Sequence, residues 1–261
     1  MQQYSEKVSA AIMQIESAMI TLAALPKLDS WAIERSQEHF KIEHLYNTNA
    51  LEGNTLAYDE VARVTLDMLT ISEKPLKCHL EVIDCGHAYD YVQQLAQTQK
   101  GFTERDFLQI HFLVLNNFPL HRGVYRDVHV ETSGSHVILC EPLYIKEQLL
   151  ELLRWYDTST DNPLIKTAEF HIRFVHIHPF RDGNGRTGRL LLNLGLMQAG
   201  YLPINIKFTD RLRYMRGLET AQLGGSSEDF ILMCLEQQLF QMSQRIEQVQ
   251  SAVSIQKESL K

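Results

Sequence analysis

Most of the chemistry this sequence can perform lies in one run, His178-Pro179-Phe180-Arg181-Asp182-Gly183-Asn184-Gly185-Arg186-Thr187-Gly188-Arg189. Gly183 and Gly185 flank Asn184 in a tight turn directly before a helical pattern. Without a Cβ to block unusual dihedrals, successive backbone N–H groups can converge there. Converging N–H groups form an anion nest, and the helix N-terminus behind them adds a partial positive charge. Arg186 falls in the first helical turn and Arg189 one turn later, on nearly the same face. Cations at that end oppose the helix dipole. Their presence makes sense if a multiply charged anion, such as a polyphosphate, sits between them, since two guanidinium forks suit adjacent phosphates. Asp182 stands at the edge of the nest, where a carboxylate repels phosphate. A bridging Mg²⁺ resolves that conflict, because Mg²⁺ uses one or two carboxylates plus substrate phosphates. His178 alone in the run has an ordinary pKa near neutrality, which makes it the natural general base.

Two plainer readings compete. A Gly-rich turn between two helices needs no ligand, but base, carboxylate, nest and two arginines within one short run weigh against it. His171, His176 and His178 also invite a zinc reading. His171 and His178 are two turns apart, whereas a helical zinc pair prefers one, so His171 fits a packed core position better. Pro179 and Phe180 read as structural, one breaking the helix and the other anchoring the turn.

The elements that must position this run are mainly helical. Val8, Ile12, Ile15, Met19 and Leu22 recur at spacings of four and three, up to a stop at Pro26. Further helical stretches are expected over about 29–45, 58–69, 76–95 and 102–116. Val128, Val130 and Thr132 then alternate, and Gly134 lies in a turn before Val137, so residues 124–139 read as a short hairpin. Helices follow after Pro142 through Trp155, from Pro163 to His178, from Asn184 to Ala199 with Gly200 as its stop, and over about 209–223. A last helix carries Leu235, Leu239, Met242, Ile246, Val249 and Val253. The matching terminal stripes suit packing into one body, or a coiled-coil-like dimer.

Composition sets outer limits. The 261 residues are 44% hydrophobic and 22% charged, with a formal net charge of −7. The length is enough for a sizeable core without disulfides. Acidic balance argues against generic binding to nucleic acid or anionic membranes, which needs clustered positive charge. The four cysteines form no C-x-x-C pair, so reduced thiols are expected rather than a redox or zinc-ribbon motif. Glu6 and Glu16 interrupt the N-terminal apolar pattern, and no run approaches the ~18 apolar residues of a membrane span. A cytoplasmic location is the expectation.

The run resembles the motif of the Fic family, H-x-F-x-[D/E]-G-N-G-R-x-x-R, with every specified position met. The likeness extends over roughly 101–235. It includes Gly123-x-Tyr125-Arg126, a helix with Ala168 and His171, and Ala199-Gly200-Tyr201-Leu202-Pro203. It implies a mostly α fold, a helical bundle with a short β-hairpin flap. The implied activity is transfer of AMP from ATP to a Ser, Thr or Tyr hydroxyl of a target protein. On this resemblance His178 deprotonates the hydroxyl, and Asp182 holds Mg²⁺ (or Mn²⁺). Gly183, Asn184 and Gly185 cradle the phosphates, with Thr187 and Gly188 in the same nucleotide-binding run. Arg186 neutralises the leaving pyrophosphate and Arg189 binds the γ-phosphate. Thr132, Ser133, Gly134 and Ser135 cover the nucleotide, Tyr214 and Gln222 fall at adenosine-contacting positions, and the flap edge pairs with the target.

Upstream, Thr48-Asn49-Ala50-Leu51-Glu52-Gly53 is by itself a helix end with Gly at its stop. It also matches the family's inhibitory motif [S/T]-x-x-x-E-[G/N], with Thr48 and Glu52 on one face. The resemblance implies that Glu52 pairs with Arg189 and blocks productive ATP binding. The chain then divides into an N-terminal helical region carrying the inhibitor (1–100), a catalytic core (101–235) and a C-terminal helix (236–261). The leading expectation is an autoinhibited protein adenylyltransferase. The alternatives are a de-adenylylase, or a bifunctional enzyme, in which Glu52 positions water, and a non-catalytic nucleotide-binding module. Self-modification and a homodimer are further implied partners.

Overall fold

The computed structural model describes residues 4–98, 101–132 and 134–258. Ten α-helices are present among them: α1 (Glu6–Ala24), α2 (Ser30–Leu51), α3 (Tyr58–Leu66), α4 (Leu76–Ala96), α5 (Glu104–Val114), α6 (Ile145–Thr158), α7 (Pro163–Ile177), α8 (Asn184–Gln198), α9 (Arg211–Gln222) and α10 (Glu228–Glu258). Short 3-10 turns at Pro142–Tyr144 and Phe208–Asp210 lead into α6 and α9. Side chains set several starts. Ser5 and Asp29 cap α1 and α2, Thr103 and Asp106 form a reciprocal box at α5, and Asn162 caps α7 ahead of Pro163.

α2 runs six residues past its expected end at Leu45. Asn47, Thr48 and Asn49 resemble turn residues but are buried here. The Asn47 and Asn49 amides donate back to the Glu43 and Leu45 carbonyls at 2.8 Å, which satisfies them without leaving the helix. Glu52 ends α2, and Gly53 takes the left-handed conformation at φ 90°.

α7 and α8 lie at the centre. On one side they meet a core built from α2 to α6, including Leu45, Val82, Tyr89, Phe107, Phe170 and Phe180. On the other, Val8, Ile15, Ile172, Leu192, Tyr214 and Phe230 join α1, α9 and α10 to them. The first core crosses residue 100, so α2–α4 share their packing with α5–α8. The terminal stripes meet within the chain, with α1 along α10. Cys78, Cys85 and Cys234 are buried and Cys140 half-buried, all as free thiols. No described helix is long and apolar enough to cross a membrane.

The expected β-hairpin does not form: no β-strand occurs among the described residues. Residues 124–132 and 134–141 form an irregular flap in which side chains, not a strand partner, take the Val128, Ile138 and Cys140 carbonyls. Buried Arg126 donates to Val128 O at 2.9 Å and also to Cys140 O, pinning the two arms at their base. His176 reaches the Ile138 carbonyl. Val128 and Ile138 stay exposed, so the alternation has no apolar face to bury. A turn survives at the tip, where Ser135 N–H donates to Thr132 O at 3.1 Å and Gly134 has φ 77°.

Burial holds three core imidazoles neutral: His44 and His111 at about 4, and His171 at about 3. Below the ordinary value of about 6.5 the unfolded chain takes up protons that these groups refuse, so stability falls with pH. The loss is expected to begin near pH 6.5 and continue to about pH 4. It amounts to on the order of 2 kcal/mol per imidazole at pH 5. Thermal midpoints between pH 7.5 and 5 check this; a flat profile contradicts it.

Candidate active site

His178 caps α7 with a left-handed backbone (φ 51°). That conformation is uncommon outside glycine, though His tolerates it better than most. It turns the chain sharply into the loop. Arg126 holds the turn from behind, Nε donating to His178 O at 2.7 Å while its own N–H donates to Pro179 O at 2.9 Å. The His178 Nδ1 lies 3.2 Å from the Val175 carbonyl. A carbonyl only accepts, so Nδ1 carries the proton and Nε2 keeps its lone pair. Burial, with Arg126 nearby, holds this imidazole below its usual range, so it is neutral at pH 7.

The loop between α7 and α8 is fastened at two points. The Asn184 amide bridges Phe180, accepting from its N–H at 2.9 Å and donating to its C=O at 2.8 Å. His111 on α5 stacks on the Phe180 ring at 3.6 Å, and its Nε2 lies 3.0 Å from Asp182 O. His111 Nδ1 accepts the Gly123 N–H, so Nε2 is the donor. Asn184→Ala leaves two backbone groups of a buried loop unpaired. It is expected to lower unfolding free energy by about 2–4 kcal/mol in urea titrations, at unchanged denaturant slope.

Above the loop lies a cavity of about 380 Å³. His178, Gly185, Arg189, Tyr214 and Gln222 reach it, with Glu52 at one side and Thr132, Gly134 and Ser135 of the flap at another. Ser133 lies outside the described residues. Gly183, Asn184, Arg186, Thr187 and Gly188 do not line the cavity. Asn184 is committed to Phe180. Thr187 is fully buried, and Gly188 abuts His171 and Val175 so closely that a Cβ would come within 3.2 Å of either. Arg186 is buried behind the loop, 3.3 Å from Asp182 and 3.7 Å from Glu81, and its Nε and Nη1 lack hydrogen-bond partners. Asp182 is exposed and accepts the Gly183 N–H at 2.6 Å. His171 sits in the core between Tyr214 and Phe230, at 3.0 Å from the Tyr214 hydroxyl. No cluster of three or more metal-ligating side chains occurs among the described residues.

Arg189 is buried, and its donors are distributed over α2 and α9. Nε donates to Thr48 Oγ1 at 2.8 Å, and Nη2 donates to Thr48 O at 2.9 Å and Glu52 Oε1 at 2.7 Å. Nη1 reaches the Tyr214 hydroxyl at 3.3 Å. The Glu52 carboxylate lies directly over Gly185, where a Cβ would stand 2.1 Å from Oε1. Glycine is thus required for this approach, and the carboxylate rests on the N-terminal turn of α8 as an anion would.

The cavity also contains residues the sequence reading left out. Glu219 accepts Ser135 Oγ at 3.0 Å and His136 N–H at 3.1 Å, joining the flap to α9. Met215, Glu219 and Gln222 share one face of α9 at helical spacing, a signal that places Glu219 beside Gln222. His111 gave no such signal, because its role comes from a tertiary contact.

Residues 101–196 match the model of the Fic/DOC family. Over 201 residues the chain is 35% identical to "Protein adenylyltransferase Fic" of Nematostella vectensis, covering 75% of this chain and 46% of that protein. It is 32% identical over 201 residues to "Protein adenylyltransferase fic-1" of Caenorhabditis elegans, covering 75% and 39%. The chain spans about half the length, or less, of these curated relatives. The structure of Fic-1 (residues 134–508) from C. elegans superposes with a TM-score of 0.82 at 27% identity, covering 94% of this chain and 74% of that one.

Proposed function

We propose a function that starts from one fact: the chain belongs to the Fic/DOC family. It transfers AMP from ATP to a hydroxyl of a target protein and is held at rest by its own Glu52. The observation that carries the reading is the 2.7 Å contact of Glu52 with Arg189, made over the N-terminal turn of α8 and beside the His178 cavity. While Glu52 holds Arg189, that guanidinium is not free for a γ-phosphate.

When Glu52 withdraws, Arg189 and the α8 amides hold the triphosphate, and α9 and the flap enclose the nucleoside. Asp182, exposed at the loop edge, suits Mg²⁺ or Mn²⁺ bound jointly with the phosphates, where the ion offsets their charge. His178 Nε2 takes the proton of the target Ser, Thr or Tyr hydroxyl. The freed oxygen attacks the α-phosphorus, the bond to pyrophosphate breaks, and the proton stays on His178. Positioning and charge neutralisation supply most of the acceleration. Partial burial of His178 keeps it unprotonated at neutral pH. The acid limb of the rate profile therefore lies below the usual imidazole value of about 6.5.

The test is incubation of the chain with ATP labelled at either the α- or the γ-phosphate, with itself and a cell extract as acceptors. Label from the α position on protein, with the added mass of one AMP on a hydroxyl residue, is the expected result. Label from the γ position alone, or none in any variant lacking the Glu52 carboxylate, rejects the proposal.

A further inference from the structure

Two partly exposed aromatic side chains, Tyr58 at 38% and Phe208 at 42%, have no part in the site above. They line a second cavity of about 390 Å³, together with His39, Glu43 and Tyr46 of α2. The Tyr46 and Tyr58 rings meet edge to face at 5.8 Å and 80°, forming a corner, and His39 meets Tyr58 at 6.3 Å and 64°. The corner is held in place. The Tyr58 hydroxyl lies 3.2 Å from His39 Nδ1, and the Phe208 N–H donates to the Asn47 side chain at 2.8 Å.

The cavity lining carries one carboxylate, Glu43, and one ammonium, Lys207. No ion-pair partner of Glu43 is found among the described residues. Glu43 and Tyr58 line the same cavity, and burial and the Glu43 charge both raise the Tyr58 phenol. The Lys207 Nζ is engaged by the Phe240 ring on α10, 4.1 Å from its centre. Ring faces attract positive charge through their quadrupole but direct no lone pairs at N–H hydrogens. A cation wrapped in methyl groups meets those walls better than a bare ammonium does.

We propose that His39, Tyr46, Tyr58 and Phe208, with Glu43, form a binding site for a methylated ammonium group. The site is independent of adenylyl transfer and holds whether or not that reading does. Its α2 members, His39, Glu43 and Tyr46, lie roughly two to three and a half turns ahead of Glu52.

Calorimetric titration of the full chain with choline chloride tests it, beside a peptide bearing trimethyllysine. The control is the uncharged isostere of choline, with tert-butyl in place of trimethylammonium. Choline or the peptide is expected to saturate one site, and the tighter of the two identifies a free or a protein-borne source. The isostere is expected to bind at least about tenfold more weakly. Phe208→Leu and Glu43→Gln are each expected to weaken binding about fivefold or more, while Tyr58→Phe keeps it. These side chains are only partly buried, so the thermal midpoint should not move. Absence of saturable binding by both ligands overturns the proposal. So does equal binding of choline and its isostere, or binding that survives both weakening variants.

Discussion

On the proposed function, Glu52→Gly is expected to raise AMP transfer by one to two orders of magnitude. The carboxylate gives Arg189 a charge-assisted hydrogen bond at 2.7 Å, an interaction worth about 1.5–3 kcal/mol. Removing that competitor shifts the equilibrium toward productive nucleotide binding by roughly ten- to a hundred-and-fifty-fold. Arg189 keeps its orientation, because Thr48 and Tyr214 still hold Nε and Nη1. The change is tolerated locally, since Glu52 is the C-cap just past the end of α2 and 38% of its side chain is exposed. Glu52→Gln, which keeps size and loses charge, should fall between the two. The measurement is incorporation from α-labelled ATP at equal protein concentration. Incorporation in Glu52→Gly no greater than in the parent chain sinks the inhibition claim.

His178→Ala in the Glu52→Gly background is expected to remove that transfer, by about 10²–10⁴-fold. The imidazole has the required tautomer, with Nδ1 donating to Val175 O and Nε2 free. It lines the same cavity as Arg189 and Gly185. The left-handed backbone at 178 complicates the variant, since alanine there costs about 1 kcal/mol or more. His178→Asn is the control, because Asn accepts that conformation readily and offers no comparable base. Both should lose transfer while ATP still raises the thermal midpoint of each. Transfer that persists in His178→Asn rejects His178 as the base.

How much of this was readable in the chain varies with how local the cause is. The turn before α8 is legible because its glycines, carboxylate and arginines are neighbours in sequence. What proximity does not show is that Thr187 and Gly188 turn into the core, since a helix rotates about 100° per residue. Asn47, Thr48 and Asn49 look like the end of a helix, yet continue it. Thr48 there meets Arg189, 141 residues away, a partner no local pattern announces. The flap shows strand-like alternation. Arg126, which takes its carbonyls, is close in sequence, but its burial depends on α7 and the loop behind it. His111 and Glu219 likewise acquire their roles only from packing.

The Glu52–Arg189 contact has a consequence beyond regulation. Arg189 is a buried positive charge near the α8 N-terminus, costly when uncompensated, whereas Arg186 keeps Asp182 and Glu81 beside it. At rest the Glu52 carboxylate serves as counter-ion. Freed of it, the fold depends on a borrowed anion, and its stability becomes a function of nucleotide concentration. On the proposed function, such a protein would report the supply of its substrate through how firmly it is folded, and its most active form would also be the one most exposed to unfolding when nucleotide runs short.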